Sequence, residues 1–157
     1  MDEQTARHYL SDALAEALFT RPGPCRLWDL LAALPEESQM SPSTALALLQ
    51  ADPRFVPCET RWDLSHRTDL GDRPLGGALQ AILQAFGRPM PAALLIAELC
   101  AYKTGDPERF RELLQRHLTT SRDIGWDGTC YYLQRWLVNT AATEDQRLFY
   151  LNGLDQD

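Results

Sequence analysis

The stretch SPSTALALLQA at residues 41–51 returns sixty-five residues later as DPERFRELLQR at residues 106–116. Each stretch opens with a residue whose side-chain oxygen suits a helix N-cap, followed by proline, which is favoured at the first helical position. Leu48 and Leu49 in the first stretch match Leu113 and Leu114 in the second. We therefore predict a helix that begins at each proline, and an internal repeat of whole helical units.

The same offset aligns two earlier helices in each copy. In the first copy, leucines at positions 10, 14 and 18, and then at 27, 30, 31 and 34, lie at helical spacing. In the second copy, apolar residues at 75, 79 and 83, and then at 95, 96 and 99, take the same places. Proline-rich breaks at 21–24 and 88–91 separate the two helices of each copy.

A β-hairpin is predicted after the third helix of each copy. In the first copy, Phe55 and Val56 are separated by a short polar turn from the alternating residues 62–64. In the second copy, residues 124–126 and 130–132 flank Asp127-Gly128, which predicts a type I′ turn. Residues 129–138 also fit helical spacing, so strand and helix both stay open there.

Three helices followed by a two-stranded ribbon form the winged-helix version of the helix-turn-helix. We therefore predict a mainly α fold with small β-hairpins (α+β), built from two tandem winged-helix units. The units span residues 1–67 and 68–138, with a polar link over about 65–74. A C-terminal extension, with one short helix near 144–151, occupies residues 139–157.

The first unit resembles a known family at its hairpin. The residues Asp52, Arg54, Phe55 and Val56, followed by Arg61, Trp62 and Leu64, are similar to the pattern that ends the winged N-terminal domain of the bacterial RNA polymerase delta subunit and related HARE-type modules. The resemblance covers about 60 residues. Because the delta subunit is acidic and associates with RNA polymerase, the resemblance implies a protein-binding role in transcription.

The amino-acid composition disfavours several classes of function. The 157 residues include 22 acidic and 15 basic side chains, a formal net charge of −7 that disfavours a general nucleic-acid coat. The four cysteines form no C-x-x-C pair, so we expect buried free thiols and no metal or other cofactor. With no secretory signal and no apolar run of membrane length, we expect a cytoplasmic protein without membrane contact. No catalytic sequence pattern is present, so we predict no enzyme activity.

The third helices differ in charge. A DNA-reading helix presents basic or amide side chains to the major groove, yet the first copy offers Ser43, Thr44, Ala47, Gln50 and Ala51, with no cation. The second copy carries the candidate nucleic-acid contacts Arg109, Arg111, Arg116 and Arg122. Because Glu108 and Glu112 interleave with them, a solvated face of Glu–Arg pairs is the alternative.

Two tryptophans are candidate anchors for a protein partner. Trp28 lies just off the leucine stripe of its helix, and Trp136 lies near the C-terminal extension. Packing in the core or between the two units is the alternative for each.

We expect a non-enzymatic regulatory or adaptor protein of a nucleic-acid machine, first of all in transcription, that binds a protein partner. That partner would be RNA polymerase or another nucleic-acid-associated complex. A first alternative is a transcriptional regulator that binds double-stranded DNA directly through the third helix of the second unit. A second is a structural winged-helix subunit of a chromosome-organising SMC-type complex, for which a homodimer is compatible.

Overall fold

The computed structural model of the protein describes residues 3–138 and shows a mainly helical chain with two small antiparallel sheets, an α+β fold. A 3₁₀ turn at Glu36–Ser38 joins the second helix of the first half to the third. The elements of the first half are α1 (Glu3–Phe19), α2 (Leu27–Ala33), α3 (Pro42–Ala51), β1 (Phe55–Cys58) and β2 (Arg61–Leu64).

The second half repeats this order and adds one strand and one helix. Its elements are α4 (Leu75–Phe86), β3 (Met90–Pro91), α5 (Ala92–Tyr102), α6 (Pro107–Thr120), β4 (Ile124–Trp126), β5 (Cys130–Leu133) and α7 (Gln134–Val138). Strand β5 lies between β3 and β4. In the first half, a single bridge between Cys25 and Trp62 takes the place of β3.

The two halves also share the register of their sheets. Corresponding pairs are Phe55–Leu64 with Ile124–Leu133, and Cys25–Trp62 with Met90–Tyr131. The hairpins therefore align at an offset of sixty-nine residues, whereas the helices align at sixty-five. The two offsets differ because α6 has 14 residues and α3 has 10, a difference of about one helical turn.

The predicted starts of the third helices are confirmed. The Ser41 hydroxyl accepts the backbone N–H of Thr44 at 3.2 Å, and the Asp106 carboxylate accepts that of Arg109 at 2.8 Å. Proline follows each cap, as expected for a residue without an N–H to satisfy.

The second hairpin confirms the predicted strands but not the type I′ turn. That turn needs positive φ at both central residues, and only Gly128 of the predicted pair has one, at 106°. The Asp127 carboxylate instead accepts the backbone N–H groups of Thr129, at 2.9 Å, and Cys130, at 2.7 Å. Asp127 thus shapes the loop through its side chain, as in an Asx turn.

Residues 129–138, predicted as either strand or helix, contain both. Strand β5 ends at Leu133 and α7 begins at Gln134, whose backbone N–H donates to the Asp123 carbonyl at 3.0 Å. The predicted extension at 139–157, with its helix near 144–151, lies outside the described residues.

The polar link expected at 65–74 belongs in part to the protein interior. It forms two 3₁₀ turns, Ser65–Thr68 and Leu70–Asp72, and it buries His66, Arg67 and Leu70. The local pattern did not predict this burial because the groups that contact His66 and Arg67 come from α1, β2 and α5.

One apolar core runs through both halves. Helix α1 packs on α2 and α3 of the first half and also on α4 of the second. At that contact, the Phe19 and Phe86 rings lie 5.4 Å apart in an edge arrangement. A fully buried leucine such as Leu18 or Leu83 contributes about 1.5–3 kcal/mol. Each half therefore covers apolar surface of the other half that would otherwise be exposed to water.

The four cysteines are free, but only Cys25 is buried; the other three are half-buried, so the expectation of four buried thiols holds for one of them. Within residues 3–138, no helix combines the length and the apolar character that crossing a bilayer requires.

Candidate interaction surfaces

The solvent face of α3 carries no charged side chain. It includes Ser43, Thr44, Leu46, Ala47, Gln50 and Ala51, which are all exposed. A helix that reads DNA places Arg, Lys, Asn or Gln against base edges and phosphates. This face offers one amide and an adjacent apolar pair. Such a surface suits contact with a protein better than contact with a phosphate backbone.

The four candidate arginines on and after α6 are all exposed, but they do not lie on one face. At about 100° per residue, Arg109 and Arg116 lie on one flank of α6, and Arg111 lies about 140° from Arg116 on the other. Arg122 follows the end of the helix. The helix thus brings Arg109 and Arg116 together and separates Arg111 from them.

Acidic residues occupy the middle of the solvent face of α6. The buried Phe110 and Leu114 define the inner side of α6, and Glu108 and Glu112 lie opposite them. Arg111 donates to Glu108 at 3.2 Å, with both side chains more than half exposed. Such a pair contributes up to about 1 kcal/mol. The charges alternate rather than form a continuous basic surface.

The loop of the second hairpin adds a negative charge near α6. Backbone N–H groups of Cys130 and Thr129 bind the Asp127 carboxylate and lower its pKa. Asp127 is therefore ionised at neutral pH, and the loop residues 127–129 include no cation. In a DNA-binding winged helix, this loop would approach the phosphate backbone, which a fixed carboxylate repels.

The two candidate tryptophan anchors have different surroundings. Trp28 lies in the first turn of α2 with 69% of its surface exposed, more than any other large apolar residue within 3–138. Trp136, on α7, is partly buried against the core. Trp28 is thus presented to solvent, whereas Trp136 has a packing role.

Sequence reasoning missed a buried ionic cluster between the two halves. The Arg67 guanidinium donates to the Asp63 carboxylate at 2.8 Å and to both Glu98 oxygens, at 2.7 and 2.8 Å. It also donates to the Leu18 carbonyl at 3.0 Å. The side chains of Arg67 and Glu98 are each 2% exposed. One cation from the first half therefore binds α1, β2 and α5 at once.

Hydrogen bonds keep this cluster charged. Burial alone would raise the pKa of Glu98, but the bonds from Arg67 and His66 outweigh it and lower that pKa. Burial likewise opposes the charge on Arg67, and the bonds and charge of Glu98 raise the Arg67 pKa instead. His66 Nε2 lies 2.7 Å from Glu98, and its ring stacks on Phe19.

The sequence did contain a signal for this cluster. Glu98 follows Leu95 by three residues and precedes Leu99, so it lies on the apolar stripe of α5. A carboxylate on a buried stripe requires a cationic or hydrogen-bonding partner. The identity of that partner depends on tertiary contacts and cannot be read from local spacing.

A second polar cluster joins α6, α4 and β4. Asp123 accepts from Ser121 at 2.6 Å, contacts His117 Nε2 at 2.9 Å, and accepts from Gln80 at 2.9 Å. Burial would raise the Asp123 pKa, but these bonds lower it. Because Ser121 donates to the aspartate rather than to the imidazole, no hydroxyl is aligned with a histidine base. The cluster supports the end of α6 and has no catalytic arrangement.

Two grooves lie on the first half of the described residues. These adjoining grooves between α1 and α3, of about 860 and 260 Å³, share Arg7 and Leu48 in their lining. In the larger one, the acid Asp52 is already bound by Arg54 at 2.8 Å. Among the described residues, no group of histidine, cysteine and carboxylate side chains is placed to hold a metal ion.

Comparison with protein-family models, curated proteins and solved structures found no match to the chain. The function proposed below therefore rests on the residues of this chain and their geometry.

Proposed function

We propose that the protein is a non-enzymatic tandem winged-helix adaptor or regulator of a nucleic-acid machine, in transcription first of all, and that it docks on a protein partner. Two observations support the winged-helix part. Each half follows the order helix, short extended segment, two helices and hairpin. The pairs Phe55–Leu64 and Ile124–Leu133 place the two hairpins in the same register.

The uncharged face of α3 is the observation that carries the functional part. In a winged helix this is the helix that contacts the ligand, and here it presents Leu46 and Ala47 beside hydroxyl and amide groups. Residues 1–70 contain 11 acidic and 6 basic side chains, which further disfavours phosphate contact by the first half. A protein surface is the ligand that these side chains fit.

The test is affinity capture from the organism that encodes the chain, with the full-length protein as bait. We expect recovery of RNA polymerase or of another chromosome-associated assembly in amounts proportional to the bait. Recovery of neither would refute the proposed role.

Direct binding of double-stranded DNA through α6 is a second candidate. It is favoured by the exposure of Arg109, Arg116 and Arg122, none of which has an ion-pair partner within residues 3–138. Duplex binding should then weaken steeply with salt, and charge reversal at Arg109 and Arg116 should abolish it. Absence of binding at about 50 mM salt would remove this candidate, since even non-specific contacts are measurable there.

A further inference from the structure

Two exposed arginines, Arg26 and Arg61, adjoin the bridge between Cys25 and Trp62. Cys25 and Trp62 exchange both of their backbone hydrogen bonds, each 2.8 Å long. In an antiparallel register the next opposing pair is Arg26 and Arg61. Arg26 has extended geometry, with φ −74° and ψ 154°, and both arginines are exposed. Opposing residues of this kind have Cα atoms about 4.5 Å apart.

Neither guanidinium has an anionic partner within residues 3–138. Asp63 lies two residues from Arg61 and therefore on the same side of β2, but its carboxylate is bound to Arg67 at 2.8 Å. Like charges placed opposite each other destabilise a sheet. An anion held between Arg26 and Arg61 would relieve that repulsion.

Two further side chains extend this surface. Trp28 follows Arg26 by two residues and is 69% exposed. Arg21 is exposed as well and precedes Cys25 by four residues. We call Arg21, Arg26, Arg61 and Trp28 the Arg26 patch.

We propose that the Arg26 patch binds an acidic protein segment that carries an aromatic or aliphatic side chain among its carboxylates. Guanidinium groups bind carboxylates through paired, charge-assisted hydrogen bonds, and an exposed indole offers an anchor for an apolar side chain. This surface is separate from the face of α3, so the proposal does not depend on α3 making contact.

The charges around the patch favour a peptide over a nucleic acid. Asp29 follows Trp28 directly, and Glu59 lies in the turn that precedes Arg61; both are exposed. A nucleic-acid strand carries a negative charge at every nucleotide and would meet these acids wherever it extended. A peptide can place neutral residues beside Asp29 and Glu59 and its carboxylates beside the arginines.

The test measures binding of labelled probes to the full-length protein by fluorescence anisotropy. The probes are a peptide in which glutamates alternate with serines and which carries one phenylalanine, the same peptide without the phenylalanine, and a single-stranded oligothymidylate. The variant R26E/R61E is compared with R109E/R116E, which makes the same charge change at two exposed positions of α6. Circular dichroism of each variant checks that the fold is retained.

We expect R26E/R61E to weaken binding of the phenylalanine peptide about tenfold or more, because two attractive charges become repulsive. R109E/R116E should bind that peptide like the wild type. W28A should weaken binding of the peptide that contains phenylalanine and leave binding of the peptide without phenylalanine unaffected. Three results would overturn the proposal: no saturable binding of the peptide, equal loss in the two double variants, or preferential oligothymidylate binding that R26E/R61E removes.

Discussion

Arg67 connects three elements of the described part of the chain through one side chain. Its guanidinium reaches a carbonyl of α1, a carboxylate of β2 and both oxygens of Glu98 on α5, and it lies near the rings of Phe19 and Tyr102. A buried ion pair repays its desolvation only when its hydrogen bonds are complete. The side chains of Arg67 and Glu98 make nearly all of their possible hydrogen bonds here. Loss of one partner would leave the other charged group unpaired in the core.

We therefore predict that R67M destabilises the protein by about 3–5 kcal/mol, because Glu98 would be buried without its cation. The control is R73M, which removes the exposed pair between Arg73 and Asp69 and should cost no more than about 1 kcal/mol. The double variant R67M/E98M should recover part of the loss, because the core no longer holds the unpaired Glu98, although Asp63 still loses its cation. Urea denaturation measures all three, and equal midpoints for R67M and R73M would contradict the prediction.

Acid should weaken the same contact. The pKa of Glu98 is lower in the folded protein than in the unfolded chain, where glutamate titrates near about 4.3. As the pH falls, the unfolded chain therefore binds the proton first. The Glu98 contact contributes its full stabilisation above about pH 4.3. This contribution is lost as the pH falls through the pKa of Glu98 in the folded protein. Asp52 and Asp123 shift in the same direction.

We expect the free energy of unfolding to decline as the pH falls below about 4.3. E98Q should be less stable than the wild type at neutral pH but should decline less steeply in acid, because one of the shifted carboxyl groups is gone. Thermal melts across this range give both curves, and parallel curves for the two proteins would show that Glu98 is not responsible.

At the scale of elements, backbone conformation predicts opposite outcomes for two glycines. Gly128, at φ 106°, lies in the second hairpin loop, where an added Cβ would meet no atom within 4 Å. Gly77 lies in the first turn of α4, where a Cβ would make ordinary contact with Pro74 at 3.8 Å. Space is sufficient at both positions, so conformational preference decides the effect.

G128A should destabilise the protein by about 1 kcal/mol or more, because L-residues rarely adopt that φ. G77A should stabilise it by about 0.4–1 kcal/mol, because alanine loses less entropy in a helix. Denaturation midpoints that shift in the same direction for both variants would contradict the assigned backbone geometry.

Local sequence rules predicted the elements better than their connections. The third helices, their caps and both hairpins followed from prolines, N-cap residues and apolar spacing, all of which act within one turn or strand. The loop formed by Asp127 and the burial of residues 65–70 did not follow. The burial of residues 65–70 depends on contacts between segments far apart in the sequence, as the pairing of Arg67 with Glu98 shows. The Asp127 loop is local, but its side chain takes the place of the expected backbone turn.

At the scale of the whole molecule, the two halves form one core. Phe19 contacts Phe86, Arg54 donates to the Ala85 carbonyl at 3.0 Å, and the Gly23 N–H donates to the Tyr102 hydroxyl at 2.7 Å. Arg88 also pairs with Glu16 across the same contact. These bonds connect the two halves at several points.

We therefore expect the halves to unfold together in a single cooperative transition. Far-ultraviolet circular dichroism and tryptophan fluorescence should give coincident denaturation curves, because neither half keeps its apolar surface buried without the other. Two separate transitions would contradict a shared core.

The two halves differ in charge and in exposed apolar surface. The first half holds most of the net negative charge and presents an uncharged contact helix, whereas the second carries arginines interleaved with glutamates. A molecule of this kind is suited to hold a protein partner at α3 and leaves DNA as a candidate ligand of α6 alone.

Comparative capture tests this account most directly. L46E/A47E adds two charges to the exposed face of α3, and Q115E/T119E adds two to the exposed face of α6. We predict that the partner recovered by the wild-type protein is lost with L46E/A47E and retained with Q115E/T119E, measured by quantitative mass spectrometry of the captured proteins. Equal recovery by both variants, or loss only with Q115E/T119E, would contradict docking through α3.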